Sequence, residues 1–181
     1  MKKEIILTII IILSFSFLTG CLDSSESVKG EEFVFTNLDE AHVRLSSYRG
    51  KVVILDMWAT WCGPCHYVMP ELEKIYKDYT RDELEIMSVD IDTRESIEDI
   101  EDFIDTFEVQ YNIELNWIFG RDDGSISEKY MNESAIPTLA VFDQKGRLYY
   151  RKAGVHVYKE IPDGFPENTP MLAPILDELI S

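Results

Sequence analysis

Two cysteines stand two residues apart in Trp61-Cys62-Gly63-Pro64-Cys65, close enough for their sulfurs to form a small disulfide ring and open it again. Thiolate is the reactive form of cysteine, and a Cys-x-x-Cys beside a β-α-β pattern reads first as a redox pair. Two other chemistries share the spelling. A cysteine pair is half of a tetrahedral zinc site, yet no second Cys-x-x-Cys or clustered His pair completes it. With His66 the run also spells Cys-x-x-Cys-His, a haem-attachment pattern. A buried-looking strand leading into the motif weighs against haem, which does not need one.

That strand is Val52-Val53-Ile54-Leu55-Asp56-Met57-Trp58, an apolar run of the kind a strand buried on both faces requires. A helical pattern follows over Pro64–Tyr79, with Val68, Met69, Leu72, Ile75, Tyr76 and Tyr79 on one face. Pro70 falls inside it, so a kink is expected there. The pattern puts Cys62 at a helix N-terminus, where free N–H groups and the helix dipole favour a thiolate. His66 reads as an exposed first-turn residue that tunes this thiolate.

The rest of the chain alternates in the same way. Short strands are expected at Phe33–Thr36 and His42–Leu45, and a second buried strand at Leu84–Asp90. Ile97, Ile100, Ile104 and Phe107 give helical spacing within Glu95–Val109. A strand at Trp117–Phe119, a helix near Ser125–Met131 and a hairpin of Thr138–Phe142 with Arg147–Lys152 follow, turning on Asp143-Gln144-Lys145-Gly146. Pro170–Ile180 closes the chain as a helix. There is no internal repeat.

Composition excludes some partners. The formal charge of −17 repels nucleic acid and anionic lipid head groups. Twelve acids face one base, Arg94, between Asp82 and Glu108, a run that reads as a solvated helix face or as a docking surface for a basic partner.

The N-terminus reads as an export signal. Met1-Lys2-Lys3 precedes an apolar stretch from Ile5 to Leu18, too short for the ~20 residues of a membrane-spanning helix. The stretch ends Leu18-Thr19-Gly20-Cys21, which resembles the lipobox of prokaryotic lipoproteins, whose cysteine is lipidated and becomes the new N-terminus. On that reading residues 1–20 are a signal peptide, 21–31 a lipid-attached flexible tether and 32–181 the folded domain. Losing Lys2, Lys3 and Glu4 would leave the mature chain at −18. A polar tether of this length reaches on average under about 20 Å, so the domain would work near the membrane. The three cysteines are Cys21, Cys62 and Cys65, which leaves none for a structural disulfide. An exported domain without such staples must rest on its core, and ~150 residues can supply one.

From Val52 through Cys65 the chain resembles the thioredoxin superfamily, and within it the membrane-anchored TlpA/ResA-like branch. Met69-Pro70-Glu71-Leu72, Ala135-Ile136-Pro137-Thr138 and Phe142-Asp143-Gln144-Lys145-Gly146-Arg147 carry the same likeness. The resemblance covers about 33–180. It implies an α/β thioredoxin-like fold, with a central mixed β-sheet flanked by helices, extra N-terminal strands and a central insertion between Glu95 and Phe119. It implies thiol–disulfide exchange through a Cys62–Cys65 disulfide, with Cys62 as the solvent-facing attacking thiol and Cys65 as the shielded resolving one. Asp56, six residues before Cys62, matches the buried acid behind the thioredoxin site. Set among apolar residues it should hold its proton to a raised pH and could accept the proton of Cys65, unless strand alternation turns it outward. Thioredoxins pair this acid with a lysine on the neighbouring strand, and residues 84–92 contain none. Glu95 is either the second functional acid of ResA-like relatives or an ordinary residue at a helix start. Ile136-Pro137 resembles the cis-proline loop that presents backbone to an extended client, with Trp61 on the client surface or in the core.

The expected partners are client proteins with disulfides, a membrane thiol carrier of CcdA/DsbD type as electron donor, and a lipid anchor. The chain is expected to act as a monomer, without cofactor or metal, as a lipoprotein on the outer side of the cell membrane. Rival readings are a copper-delivery module of the same fold, with His156 as a distal ligand, and a peroxidase of the peroxiredoxin branch. The relatives that deliver copper space their cysteines three apart, not two. Asn132-Glu133-Ser134 matches a glycosylation sequon formally.

Overall fold

A computed structural model of the chain describes residues 31–131 and 133–180. The segment read as a signal peptide, Cys21, nearly all of the expected tether and Asn132 of the formal sequon lie outside the described residues. Seven strands form one sheet in the order β2-β1-β5-β4-β3-β6-β7. They are β1 (Val34–Asn37), β2 (His42–Arg44), β3 (Val52–Trp58), β4 (Leu84–Asp90), β5 (Ile118–Arg121), β6 (Thr138–Phe142) and β7 (Leu148–Ala153). β3, β4 and β5 run parallel, and the pairs β3–β6, β6–β7, β1–β5 and β1–β2 are antiparallel.

Parallel neighbours need crossovers, and two helices supply them. α1 (Met69–Asp78) joins β3 to β4, and α2 (Ile97–Tyr111) joins β4 to β5. α2 starts on a capping box, with the Ser96 side chain and the Asp99 carboxylate each bonding the other's backbone N–H. It ends at Asn112 in the left-handed conformation. α3 (Ser125–Tyr130) and α4 (Ala173–Ile180) complete the helices.

Side chains alternate along β3 with period two, so its apolar run feeds two cores. Val52, Ile54 and Trp58 join Met69, Leu72 and Ile75 of α1, Ile100 and Phe107 of α2, and Leu176 of α4. Val53, Leu55 and Met57 point the other way, to Phe33, Phe35, Ile126 and Tyr130. Both cysteines belong to the first cluster. The N-terminal strand lies tightly on the sheet where β1 meets β5. A Cβ on Gly120 would come within 2.3 Å of the Thr36 carbonyl oxygen, so only glycine fits there.

The long helix expected over 64–79 is broken. Residues Gly63–Tyr67 form a 3₁₀ turn, and α1 begins only at Met69. Pro70 therefore sits in the first turn of α1, where its missing N–H forfeits no helical bond, and it kinks nothing. The acidic run is also not one solvated face. Glu85, Asp90 and Asp92 are buried, whereas Glu98, Glu101 and Asp105 stay on the outside of α2.

Candidate active site

β3 delivers the chain into the motif. After Trp58, the amide of Cys62 bonds the Ala59 carbonyl at 3.1 Å and the 3₁₀ turn begins. Cys62 and Cys65 are joined as a disulfide. The Cys62 sulfur caps the turn, 3.2 Å from the Cys65 amide that donates to it. Cys62 was expected to face solvent at the start of a long helix. It is instead 3% exposed, Cys65 is 1% exposed, and the helix behind them is one short turn. The local amide of Cys65, not a long macrodipole, is the donor aimed at the sulfur. His66 is not an exposed tuner either. It is half-buried, its Nε2 lies 3.1 Å from the Thr60 carbonyl oxygen, and its ring packs against Phe103 and Phe107.

Asp56 shares its face of β3 with Ile54 and Trp58, which puts it behind the cysteines and not in solvent. The position opposite it on β4 is Ser88, where a lysine would have been the thioredoxin partner. Ser88 Oγ donates to Asp56 Oδ2 at 2.9 Å and accepts from Trp117 Nε1 at 2.9 Å. Asp56 Oδ1 is buried with no hydrogen-bond partner. Burial therefore outweighs the single donor, and the carboxyl keeps its proton up to about pH 7, against an ordinary 3.8. Ser88 and Trp117 carried no signal in the sequence beyond the absence of lysine.

A second acidic group grips the approach to the cysteines. Glu95 precedes α2 and accepts from the Thr60 amide at 3.0 Å and from the Thr60 hydroxyl. It also contacts Asp90, fully buried at the end of β4, whose carboxyl is pushed above its usual range first by desolvation and then by Glu95. Trp61 is 61% exposed, and its Nε1 donates to Asp92 at 2.9 Å. Arg94 forks onto Asp92 at 2.8 and 2.5 Å and holds that carboxylate well below the ordinary range. Thr60 and Trp61 are thus pinned from one loop. Glu95 holds Thr60 and Asp92 holds the exposed Trp61, and no local pattern separates Asp90 and Asp92 from the solvated acids around them.

The Ile136–Pro137 peptide is cis, and Ile136 packs half-buried against the cluster that holds both cysteines. The Pro137 carbonyl accepts from the Gly154 amide at 2.8 Å. His156 is fully buried behind this pair. Its Nδ1 lies 2.8 Å from the Gly154 carbonyl oxygen and its Nε2 3.0 Å from the Tyr150 hydroxyl. With both ring nitrogens engaged and its proton affinity lowered by burial, to about 4, it supports the loop as a neutral ring. It is not presented as a distal copper ligand. Among the described residues, no three His, Cys, Asp or Glu side chains are grouped to hold a metal ion, and no helix is long and apolar enough to cross a membrane.

A mixed sheet carrying a Cys-x-x-Cys disulfide just past the end of an interior strand, backed by a buried carboxyl, defines a thioredoxin-like thiol–disulfide oxidoreductase. The chain belongs to the AhpC/TSA family, whose model matches residues 28–151. It is ResA-like within that family. Thiol-disulfide oxidoreductase ResA of Bacillus cereus (strain ATCC 10987 / NRS 248) is 26% identical over 181 residues, covering 94% of this chain and 100% of that protein. Thioredoxin-like protein YneN of Bacillus subtilis (strain 168) is 31% identical over 137 residues, 75% of this chain and 76% of that one. The crystal structure of StoA from Bacillus subtilis superposes with a TM-score of 0.55 at 23% identity, over 69% of this chain and 89% of that chain, and shares the fold.

Proposed function

We propose that this chain is a reductant of disulfides in client proteins on the outer side of the cell membrane, tethered there through lipid on Cys21. The observation that carries the chemistry is the Cys62–Cys65 disulfide backed by a buried carboxyl that titrates at about pH 7. In the reduced form the Cys62 thiolate attacks one sulfur of a client disulfide, and the other client sulfur leaves as a thiolate. Asp56, once ionised, takes the proton of Cys65. The Cys65 thiolate then attacks Cys62, closing the disulfide and releasing the reduced client. Two electrons from a membrane thiol carrier of CcdA/DsbD type restore the dithiol. Trp61, Ile136 and Pro137 form the surface on which the client lies. Glu95 acts one step back, by fixing Thr60. The protein works as a monomer and needs no cofactor.

The direction rests on Gly63-Pro64 between the cysteines, which resembles the reducing members of the superfamily. The reduction potential is expected nearer the thioredoxin value of about −270 mV than the DsbA value of about −120 mV, and a measurement at the DsbA end overturns the direction. For the chemistry, Cys65→Ser should stall clients as mixed disulfides on Cys62, identifiable by mass spectrometry. A Cys62→Ser protein that still exchanges dithiols would end the proposal. Cys21→Ser should move the protein from the membrane fraction to the soluble one.

A further inference from the structure

Beside the redox turn lies a groove that nothing in the redox chemistry requires. Pro64, between the two cysteines, forms one end of a cavity of about 690 Å³ whose walls are Tyr67, Gly154, Val155, Phe165 and Pro170. A second hollow of about 530 Å³, floored by His66 and Pro70, lies on the other side of the same two aromatic rings. Tyr67 is 61% exposed and meets Phe165 edge-on at 5.7 Å, so the two rings form a ridge between the hollows. Pockets of about 300–1,000 Å³ hold small organic ligands, so either hollow takes a large apolar side chain with the backbone that carries it.

The far wall is built in advance. Residues 159–170 (KEIPDGFPENTP) contain three prolines and are closed by turns at Phe165, whose amide bonds the Pro162 carbonyl at 3.1 Å, and at Thr169, whose amide bonds Pro166 at 2.9 Å. The loop is fastened to the body where Val157 donates to the Pro170 carbonyl at 3.0 Å and Leu172 to the Val157 carbonyl at 2.9 Å. The near wall, Gly154, is held by His156 and by Pro137. The loop that forms the far wall is acidic in sequence, and its Asp163 lines the groove. Lys159 is taken by Asp78 at 2.7 Å, whereas Glu160, Asp163 and Glu167 are exposed and make no ion pair among the described residues. Lys152 is the one cation among the groove's lining residues.

The occupant follows from continuity with the reactive disulfide and from charge. A client whose sulfur is bonded to Cys62 must lay the residues flanking its own cysteine along the adjoining surface, and Pro64 is shared by the turn and the groove. On the reading above, that this chain exchanges disulfides with client proteins, we infer that the Tyr67–Phe165 groove selects clients. It takes a bulky apolar side chain within a few residues of the client cysteine, on a segment carrying lysine or arginine. Phe165 and Tyr67 are specificity-determining residues, and the acids of the loop speed encounter with cationic segments.

The test uses the domain reduced by dithiothreitol and a set of synthetic peptides, each with one cysteine capped by glutathione. A single Trp is moved through three positions on either side of the cysteine, against Gly at the same positions, in Lys-flanked and Glu-flanked versions. At one or two of these positions Trp should raise kcat/KM about tenfold over Gly. Lys-flanked peptides should react faster than Glu-flanked ones, with the gap closing at about 0.5 M salt. Phe165→Ala should bring the Trp-to-Gly ratio towards one, and Phe165→Leu should restore part of it, with circular dichroism reporting that both fold. Equal rates for all peptides, or a ratio unchanged in Phe165→Ala, overturn the groove and leave the redox reading standing. A domain that reduces none of the peptides, nor insulin, overturns the redox reading itself.

Discussion

Asp56→Asn replaces one atom of a buried side chain and removes its titration. In the folded protein this carboxyl keeps its proton up to about pH 7, because burial penalises the anion and Ser88 alone donates to it. Relative to the ordinary 3.8, that difference is worth roughly 4 kcal/mol, at 1.36 kcal/mol for each pH unit. Below about pH 4 the folded and unfolded chains both carry the proton, and the residue costs nothing by charge. From about pH 4 to 7 the unfolded chain gives up its proton first, so stability falls by about 1.4 kcal/mol per unit. Above about pH 7 both states are ionised and the full penalty stays. Asn adds a cost of its own, because a buried amide donor left unpaired costs about 1–3 kcal/mol, but that cost does not vary with pH. Urea unfolding of the domain and of Asp56→Asn at about pH 4.5 and 8.5 separates the two. The variant should gain about 3–4 kcal/mol relative to the parent on going from the acid to the alkaline condition. An equal difference at both pH values refutes the burial argument. In a single-turnover experiment on a preformed mixed disulfide, resolution by Cys65 should slow by about 10²–10⁴-fold in the variant, and an unchanged rate refutes the proton transfer.

Ser88→Ala leaves Asp56 Oδ2 and Trp117 Nε1 without their shared partner, and should cost about 1–3 kcal/mol in urea unfolding. Losing the one donor that favours the anion should also carry the Asp56 titration further upward, so the alkaline fall in stability extends to higher pH; an unmoved pH profile contradicts this. Asp90 likewise holds its proton above the usual range, through burial and then Glu95, so its contribution to stability is intact in acid and is lost as the pH rises. Asp90→Asn should therefore raise Tm at about pH 9 relative to the parent more than at about pH 5, and equal changes at both would show the carboxyl to be ordinary.

The strands were legible because burial on both faces writes itself as an unbroken apolar run. Val52–Trp58 and Leu84–Asp90 appear where the sequence put them. The break at Val68 was hidden for the opposite reason. Apolar residues continue at helical spacing through Val68, Met69 and Leu72, and Pro70 reads equally as a kink or as a first-turn residue. Only the 3₁₀ geometry of Gly63–Tyr67 decides between them. Cys62 is buried in a cluster that draws members from parts of the chain distant in sequence, Leu139 among them, and no local pattern reports it. Composition could not separate Asp90 and Asp92 from the solvated acids of α2. It is the pairing of Trp58 with Asp90 in parallel register that carries these acids to the reactive loop. The stretch 159–170 has no periodicity at all, and folding alone brings Phe165 to Tyr67.

On the mechanism proposed above, the acid behind the cysteines ties reactivity to stability: only ionised Asp56 accepts the proton of Cys65, and the ionised form is the one the fold disfavours. An acid with an ordinary titration would be ionised at all working pH values but too weak a base to help, whereas one raised far beyond pH 7 would seldom be ionised. A value of about 7 balances the two at neutral pH, the compromise general-base catalysis favours. Ser88 sets that balance where thioredoxins use a lysine. A neutral hydroxyl lowers the titration less than a cation would, which leaves Asp56 the stronger base and the folded domain the larger alkaline penalty. The two-sided core around β3 must carry that penalty. Substitutions that loosen the core there should therefore show first as instability above neutral pH, before any change in the chemistry of the cysteines.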